Sequence, residues 1–366
     1  MSEFSPYPRG RPDGERWPPS PALLGAGRQR ARGLSLVMER CFDGTDARWS
    51  DALIARMRRH IGGCVNAIEP LVRAELRRFA PADAAMIDVL PGPVAWNALG
   101  QRPSLMGERL IRHFRDRAAI SLMEQDEQAG MAADHRAGDG KDAETLFPAG
   151  VAAGLAALAK AREGWADGQP DECPMQADLP AEDMEELLWV IVALIVDALV
   201  LAGAIPVAQA LQLGDRAGRA VLARHDEQTA PFAQALLLAH RMRGIGMEDA
   251  HLLWLARNRH VLVQLAVMAD RTGIDHAHLV GRVVEGPEYL LFQLCRRADF
   301  PREVAVRLML GRRSVSRGVE DTVLVEYADG YERMSPDDAA LATAALGISA
   351  CFRDKLSALR NGPPGS

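Results

Sequence analysis

The chain has 366 residues, 48% of them hydrophobic and 25% charged, with a formal net charge of −6. Those proportions exclude a disordered polypeptide and leave room for one extended domain or two compact ones. Aromatics make up only 5% while Ala, Leu and Arg dominate, which favours helix over sheet.

Residues 1–33 carry Pro6, Pro8, Pro12, Pro18, Pro19 and Pro21 among Gly and Arg. They offer too little apolar area to offset the entropy of ordering, so this segment reads as a disordered basic arm. It has no continuous apolar run of the secretory kind. Helical periodicity starts near Leu34 and sharpens from Ser50, a candidate N-cap. Leu53, Met57, Ile61, Val65, Ile68 and Val72 recur at three and four and form one apolar stripe. Gly62 and Gly63 should weaken this helix, and Pro70 should kink or split it.

A turn-rich interval, Pro91 to Ser104, leads into a helix with Leu110, Ile111 and Phe114 inside. Its Arg109, Arg112, His113, Arg115 and Arg117 spread around the circumference. Residues 126–143 read as a mobile loop, Val151 to Arg162 as a short helix, and 163–180 as an acidic Pro/Gly linker. The predicted organisation is therefore an arm (1–33), an N-terminal helical region (34–162), the linker (163–180), a repeat region (181–313), a helical cap (314–360) and a disordered tail (361–366).

Leu187 to Ile205 is the most apolar stretch, with Asp197 as its one formal charge. Pro180 and the acids Glu182, Asp183, Glu185 and Glu186 suit the start of this helix. Gly203 and Pro206 should end it. Its twelve Leu, Ile and Val residues favour bilayer insertion by roughly 5 kcal/mol, and Asp197 costs about 2.5–3.5 kcal/mol of that. The flanks argue against a span, because the N-terminal side is acidic and no basic residue follows until Arg216. At about 100° per residue, Glu186, Ala193, Asp197 and Ala204 share one line opposite Leu188, Ile191, Ile195 and Leu199. This is the pattern of a buried spine helix with a narrow polar seam. A membrane span at 187–205 is disfavoured.

Beyond Asp215 the breaks come at close intervals. Three segments resemble one another: RGIGMEDAHLLWLARN from Arg243, RTGIDHAHLVGRVVEG from Arg271 and ADFPREVAVRLMLGRR from Ala298. Short helices of this kind are marginal alone and gain a core by stacking. Val319 to Tyr331 reads equally as strand or helix.

The run AVLARHDEQTAPFAQALLLAHRM from Ala220, DLPAEDMEELLWVIVAL from Asp178 and SDALIARMRRHIGGCVNAIEPLVRAEL from Ser50 resemble an alphaproteobacterial family of HEAT-like helical-repeat proteins of unknown function. The likeness spans Leu34 to Arg313. The chain departs from that family in its more apolar spine helix. The resemblance implies an all-α fold, with an irregular N-terminal helical half followed by HEAT/armadillo-like helix pairs. It implies no known reaction and transfers no catalytic residue.

No chemistry-bearing motif accompanies these helices. The five cysteines, Cys41, Cys64, Cys173, Cys295 and Cys351, are far apart with no CxxC pair, which argues against disulfides or structural zinc and fits a reducing cytoplasm. HExxH, P-loop, GxSxG and dinucleotide-binding patterns do not occur. His276 and His278 point about 200° apart on a helix, and His225-Asp226-Glu227 reads as polar closure of a helix end more readily than as a base with its carboxylate. The histidines are expected to be capping or surface residues. No cofactor or metal is expected.

Residues 1–120 hold 19 Arg against 13 acids, and residues 121–190 hold 4 basic against 16 acidic side chains. The basic third could serve nucleic acid, a role disfavoured by the acidic total and sparse aromatics. The expected function is a non-catalytic, cytoplasmic, protein-binding scaffold or adaptor, with Arg224, His225, Arg257 and His260 at repeat turns as partner-contact candidates. The alternative is a helical-repeat enzyme or nucleic-acid binder using the basic third.

Overall fold

A computed structural model describes residues 49–88, 90, 92–131, 143–166, 170–171, 173–316, 321–349, 352 and 355. The predicted arm, the helix start at Leu34 and the tail lie outside these residues. The described residues form an all-α protein whose one β-type contact is an isolated bridge between Trp49 and Ser316.

The helices are α1 (Asp51–Phe79), α2 (Ala84–Asp88), α3 (Val94–Gln101), α4 (Glu108–Met131), α5 (Ala143–Leu146), α6 (Ala149–Ala166), α7 (Ala181–Leu201) and α8 (Val207–Leu222). They continue as α9 (Pro231–Arg243), α10 (Asp249–Arg257), α11 (Val261–Thr272), α12 (His276–Glu285), α13 (Glu288–Arg297), α14 (Arg302–Arg312), α15 (Asp321–Gly330) and α16 (Pro336–Thr343). The ambiguous 319–331 segment is therefore helical over α15. Of the predicted loop 126–143, residues up to Met131 continue α4 and Ala143 opens α5; residues 132–142 lie outside the described set.

Helix α1 begins as the sequence suggests: the Ser50 hydroxyl accepts the Leu53 N–H at 3.1 Å and donates to the Ser314 carbonyl at 2.6 Å. The start of α1 is thus tied to the turn after α14. Pro70 does not split α1, which runs 29 residues through it. Its ring faces solvent, and α3, α4, α7 and α8 pack along the helix, so tertiary contact outweighs the lost backbone bond. Gly62 and Gly63 serve a close approach. The Asp171 carbonyl lies where a Gly62 Cβ would stand, and Met175 Cγ would sit 2.7 Å from one at Gly63. Met175 N–H donates to the Gly63 carbonyl at 2.9 Å. The non-helical stretch 173–180, read from sequence as part of a linker, is packed across α1 here and buries Met175, Asp178 and Leu179.

The spine, α7, follows Pro180 directly, and Gly203 beyond its end adopts φ +64°. Leu187, Leu188, Ile191, Ile195 and Leu199 are buried, while Ala193 and Asp197 are exposed. Asp197 faces Arg102 at 3.7 Å, so the polar seam looks onto the α3 end and water. Among the described residues, no helix is long and apolar enough to cross a membrane.

Several helix starts lack a cap of their own and are capped from elsewhere. Glu69 of α1 accepts the Val94 and Ala95 N–H groups of α3 at 3.1 and 2.8 Å. Glu227 accepts Ala181 N–H of α7 at 3.2 Å, and Glu124 of α4 accepts Leu262 N–H of α11 at 3.4 Å. Each carboxylate meets orphan donors at the positive end of a helix dipole and thereby sets how two helices sit together.

Candidate functional site

Helix α4 packs against α1, α6, α7, α11, α12 and α14. It is the meeting point of the fold although it is rich in charge. Arg115 and Arg117 are among the largest fully buried side chains, which a reading of arginines spread around an exposed circumference does not anticipate. The Arg115 guanidinium pairs with Asp116 at 2.5 Å and with Glu285 of α12. Arg117 pairs with Asp178 at 2.7 Å, donates to Cys64 Sγ at 3.4 Å and lies 4.7 Å over the Trp165 ring. Trp165 Nε1–H closes the set by donating to Asp178 at 3.1 Å. At the end of α6 the Trp165 carbonyl accepts from Arg56 (2.6 Å), Ser121 (2.8 Å) and His60 Nε2–H (3.0 Å).

This cluster is buried, and within it the Arg117 Nε–H and His60 Nδ1 find no hydrogen-bond partner among the described residues. Burial pushes the Cys64 thiol up to about 11, so little nucleophilic thiolate exists at neutral pH. Burial, together with the charge of Arg117, holds His60 well below its ordinary value and keeps its ring neutral.

A second polar group lies where the first turns of α7, α9 and α12 approach α4. His113 Nδ1 is 3.6 Å from Asp183, which Arg109 contacts at 3.1 Å. The His113 and His276 rings both pack on Phe232, with centroids 5.0 and 5.9 Å away. Burial, with Arg117 and Arg109 nearby, lowers His113 to about 3, and burial lowers His276 to about 4. Burial raises Asp183 to about 6 against the opposing pull of Arg109. Among the described residues, no group of three His, Cys, Asp or Glu side chains is placed to hold a metal ion.

The four partner-contact candidates fall at two helix ends. Arg224 is exposed and pairs with Glu75 at 2.7 Å; His225 donates to the Leu179 carbonyl at 2.8 Å. Arg257 is exposed and 3.4 Å from Glu303. His260 is interior: it stacks on Trp254 with centroids 5.4 Å apart, and burial beside Arg162 lowers it to about 3. An interior ring cannot meet a partner at the surface. His60 and His276 are likewise buried and His113 is nearly so, against the expectation of capping or surface roles, whereas His251 does cap, accepting the Glu248 N–H at 3.1 Å. The neighbours of His225 act locally: Asp226 accepts the Gln228 N–H at 3.0 Å, and Glu227 caps α7.

Eight of the nineteen arginines of the basic third lie outside the described residues, and the other eleven have partners within the chain. Arg58 meets Asp171, Arg59 the Cys173 carbonyl, Arg73 Glu69, Arg77 Asp88, Arg78 Glu75, and Arg112 Glu108. Among the described residues the basic third therefore offers no unpaired arginine, the kind of group on which phosphate binding draws.

Sequence reasoning missed a pattern at the ends of α9, α11 and α13. The turns that follow place Gly246, Gly273 and Asp299 at φ +66°, +68° and +52°. Arg243 pairs with Asp270 at 2.7 Å. Arg271 donates to the Met247, Ala298 and Asp299 carbonyls at 3.0–3.2 Å, and Arg297 to the Thr272 carbonyl at 2.7 Å. These arginines at helix C-termini thus tie neighbouring helix ends together, Arg243 through a carboxylate and Arg271 and Arg297 through exposed carbonyls. The Arg243 and Arg271 segments had been matched by likeness, but their arginines had not been given this role.

No protein-family model, curated protein or solved structure matches the chain.

Proposed function

We propose that the chain is a non-catalytic helical-repeat scaffold or adaptor that binds protein in the cytoplasm. The observation that carries this reading is the laced row of turns after α9, α11 and α13. A left-handed residue recurs there at near-constant spacing and an arginine reaches from each turn to its neighbour. Recurrent turns of this kind build an extended, rigid edge, and helical repeats use such edges and their adjoining faces to bind other proteins. Arg257 and Arg224 are exposed at the ends of two different helices, where a partner's carboxylates could exchange with their present partners Glu303 and Glu75. The buried polar groups of α4 support the same reading, because they are consumed in holding helices together.

The test is affinity capture of the full chain followed by cross-linking mass spectrometry. The expected result is a stable protein partner whose cross-links fall on residues 241–300, with binding weakened by Arg257→Glu. Capture of no partner, together with turnover of a metabolite by the purified chain, would overturn the reading.

A further inference from the structure

The corner between α7 and α8 differs from the rest of the surface. From Ala198 to Gly214 the sequence carries no charged side chain, in a protein where one residue in four is charged. Leu201, Val207 and Leu211 are 78%, 57% and 60% exposed there. Isolated exposed aliphatic side chains are ordinary, but a continuous uncharged corner with three of them is the composition of an interface centre. Val207, Leu211 and Asp215 follow one another at four-residue spacing along one side of α8. The other side is already occupied, with Gln209 bonded to Asp83 at 2.8 Å and Arg216 over the Phe79 ring.

We propose that this corner pairs with a second copy of the chain, with two α8 helices antiparallel about a two-fold axis level with Gln209. In that arrangement Val207 of one copy meets Leu211 of the other, and the reverse contact forms by symmetry. Asp215, paired within its own helix to the exposed Arg219 at 3.0 and 3.1 Å, then falls just beyond the N-terminus of the partner's α8, where that positive end can take over from Arg219. That terminus needs an anion: Pro206 supplies no side-chain cap and the first turn holds no acid. In contrast, α3, α7 and α11 receive a glutamate from another helix. The two-fold thus sets apolar against apolar and a carboxylate against a positive helix end, each twice. A foreign partner would find no charge in the corner to select it, whereas a second copy brings both complements on the same helix.

The inference goes beyond the scaffold reading and does not depend on it. Sedimentation velocity of the full chain over a concentration series should give a dimer. Leu211→Asp should give a monomer with an unchanged circular dichroism spectrum. Asp215→Lys should raise the dimer dissociation constant by about tenfold or more, the effect of losing one interface anchor. Leu310→Asp, at an exposed leucine on α14, should leave the dimer intact. A monomeric wild-type chain, or a dimer indifferent to Leu211→Asp, overturns the proposal. So does flotation of the wild-type chain, but not Leu211→Asp, with phosphatidylcholine vesicles. A dimer that captures no other protein and turns over a metabolite leaves this pairing standing and removes the scaffold reading; a monomer that captures a protein partner does the opposite.

Discussion

Helices α7 and α4 both run through the interior, and they are buried by opposite chemistry. The buried face of α7 is almost wholly Leu, Ile and Val, and its one mid-helix charge, Asp197, is turned out to water. Helix α4 buries Arg115, Asp116 and Arg117 and satisfies them with Glu285, Asp178, Cys64 and Trp165. Apolar burial needs only neighbours of similar character and is tolerant of which they are. Burial of an arginine needs a particular carboxylate at a particular distance, since an unpaired charge there is strongly destabilising. In this protein α7 supplies bulk to the core and α4 fixes which helices meet.

The largest expected way to break this comparison is acid. Neutral His60, His113, His260 and His276 are favoured in the folded state, with His113 and His260 lowered to about 3 and His276 to about 4. The unfolded chain takes up protons near pH 6.5 and the folded chain does not, so their contribution is complete above that pH and is lost as pH falls. At pH 5 each of the three with a stated value gives up about 2 kcal/mol. The Asp116, Asp178 and Asp183 carboxyls, raised by burial, pull the other way, Asp183 from about pH 6 downward. The imidazole share is isolated by substitution: in denaturant titrations the midpoint should fall between pH 7 and pH 5 by more in the wild-type chain than in a His113→Phe variant.

A core truncation in α7 comes next. Ile195→Ala should cost about 2–5 kcal/mol in a denaturant melt, the ordinary effect of a cavity. Below it stands the approach of Asp171 to α1: Gly62→Ala drives a methyl onto the Asp171 carbonyl and should cost about 1–3 kcal/mol despite better helix propensity. The smallest effect is expected at the seam of α7. Asp197 and Arg102 are 52% and 62% exposed and 3.7 Å apart, so Asp197→Leu should change stability by less than about 1 kcal/mol and leave a folded chain. A large loss of stability from this substitution would mean that the seam is packed and not wet.

The same contrast explains what was legible in the sequence. The all-α class, the N-cap at Ser50, the bounds of α7 and the polar seam through Asp197 were readable, because local propensity and periodicity carry them; that the seam faces water was not, since it depends on which helices pack beside α7. Arg115 and Arg117 were not, since their partners Glu285 and Asp178 stand 170 and 61 residues away and look in sequence like an ordinary helix end and an acidic linker. Pro70 misled because a rule for isolated helices was applied to one packed on several sides. Gly62 and Gly63 had a legible oddity, two adjacent glycines in a strong stripe, whose cause is a backbone crossing from a distant segment. His260 was placed at a turn, but the stacking of Trp254 and the approach of Arg162 that bury it are tertiary.

The central claim is that α4 is held by paired buried charges, and a double-mutant cycle on Arg117 and Asp178 tests it most directly. Asp178→Leu alone should cost about 3–5 kcal/mol, and Arg117→Met with Asp178→Leu together should recover most of that loss. If either single substitution costs less than about 1 kcal/mol and the two simply add, Arg117 and Asp178 do not hold α4 in place and the account is wrong.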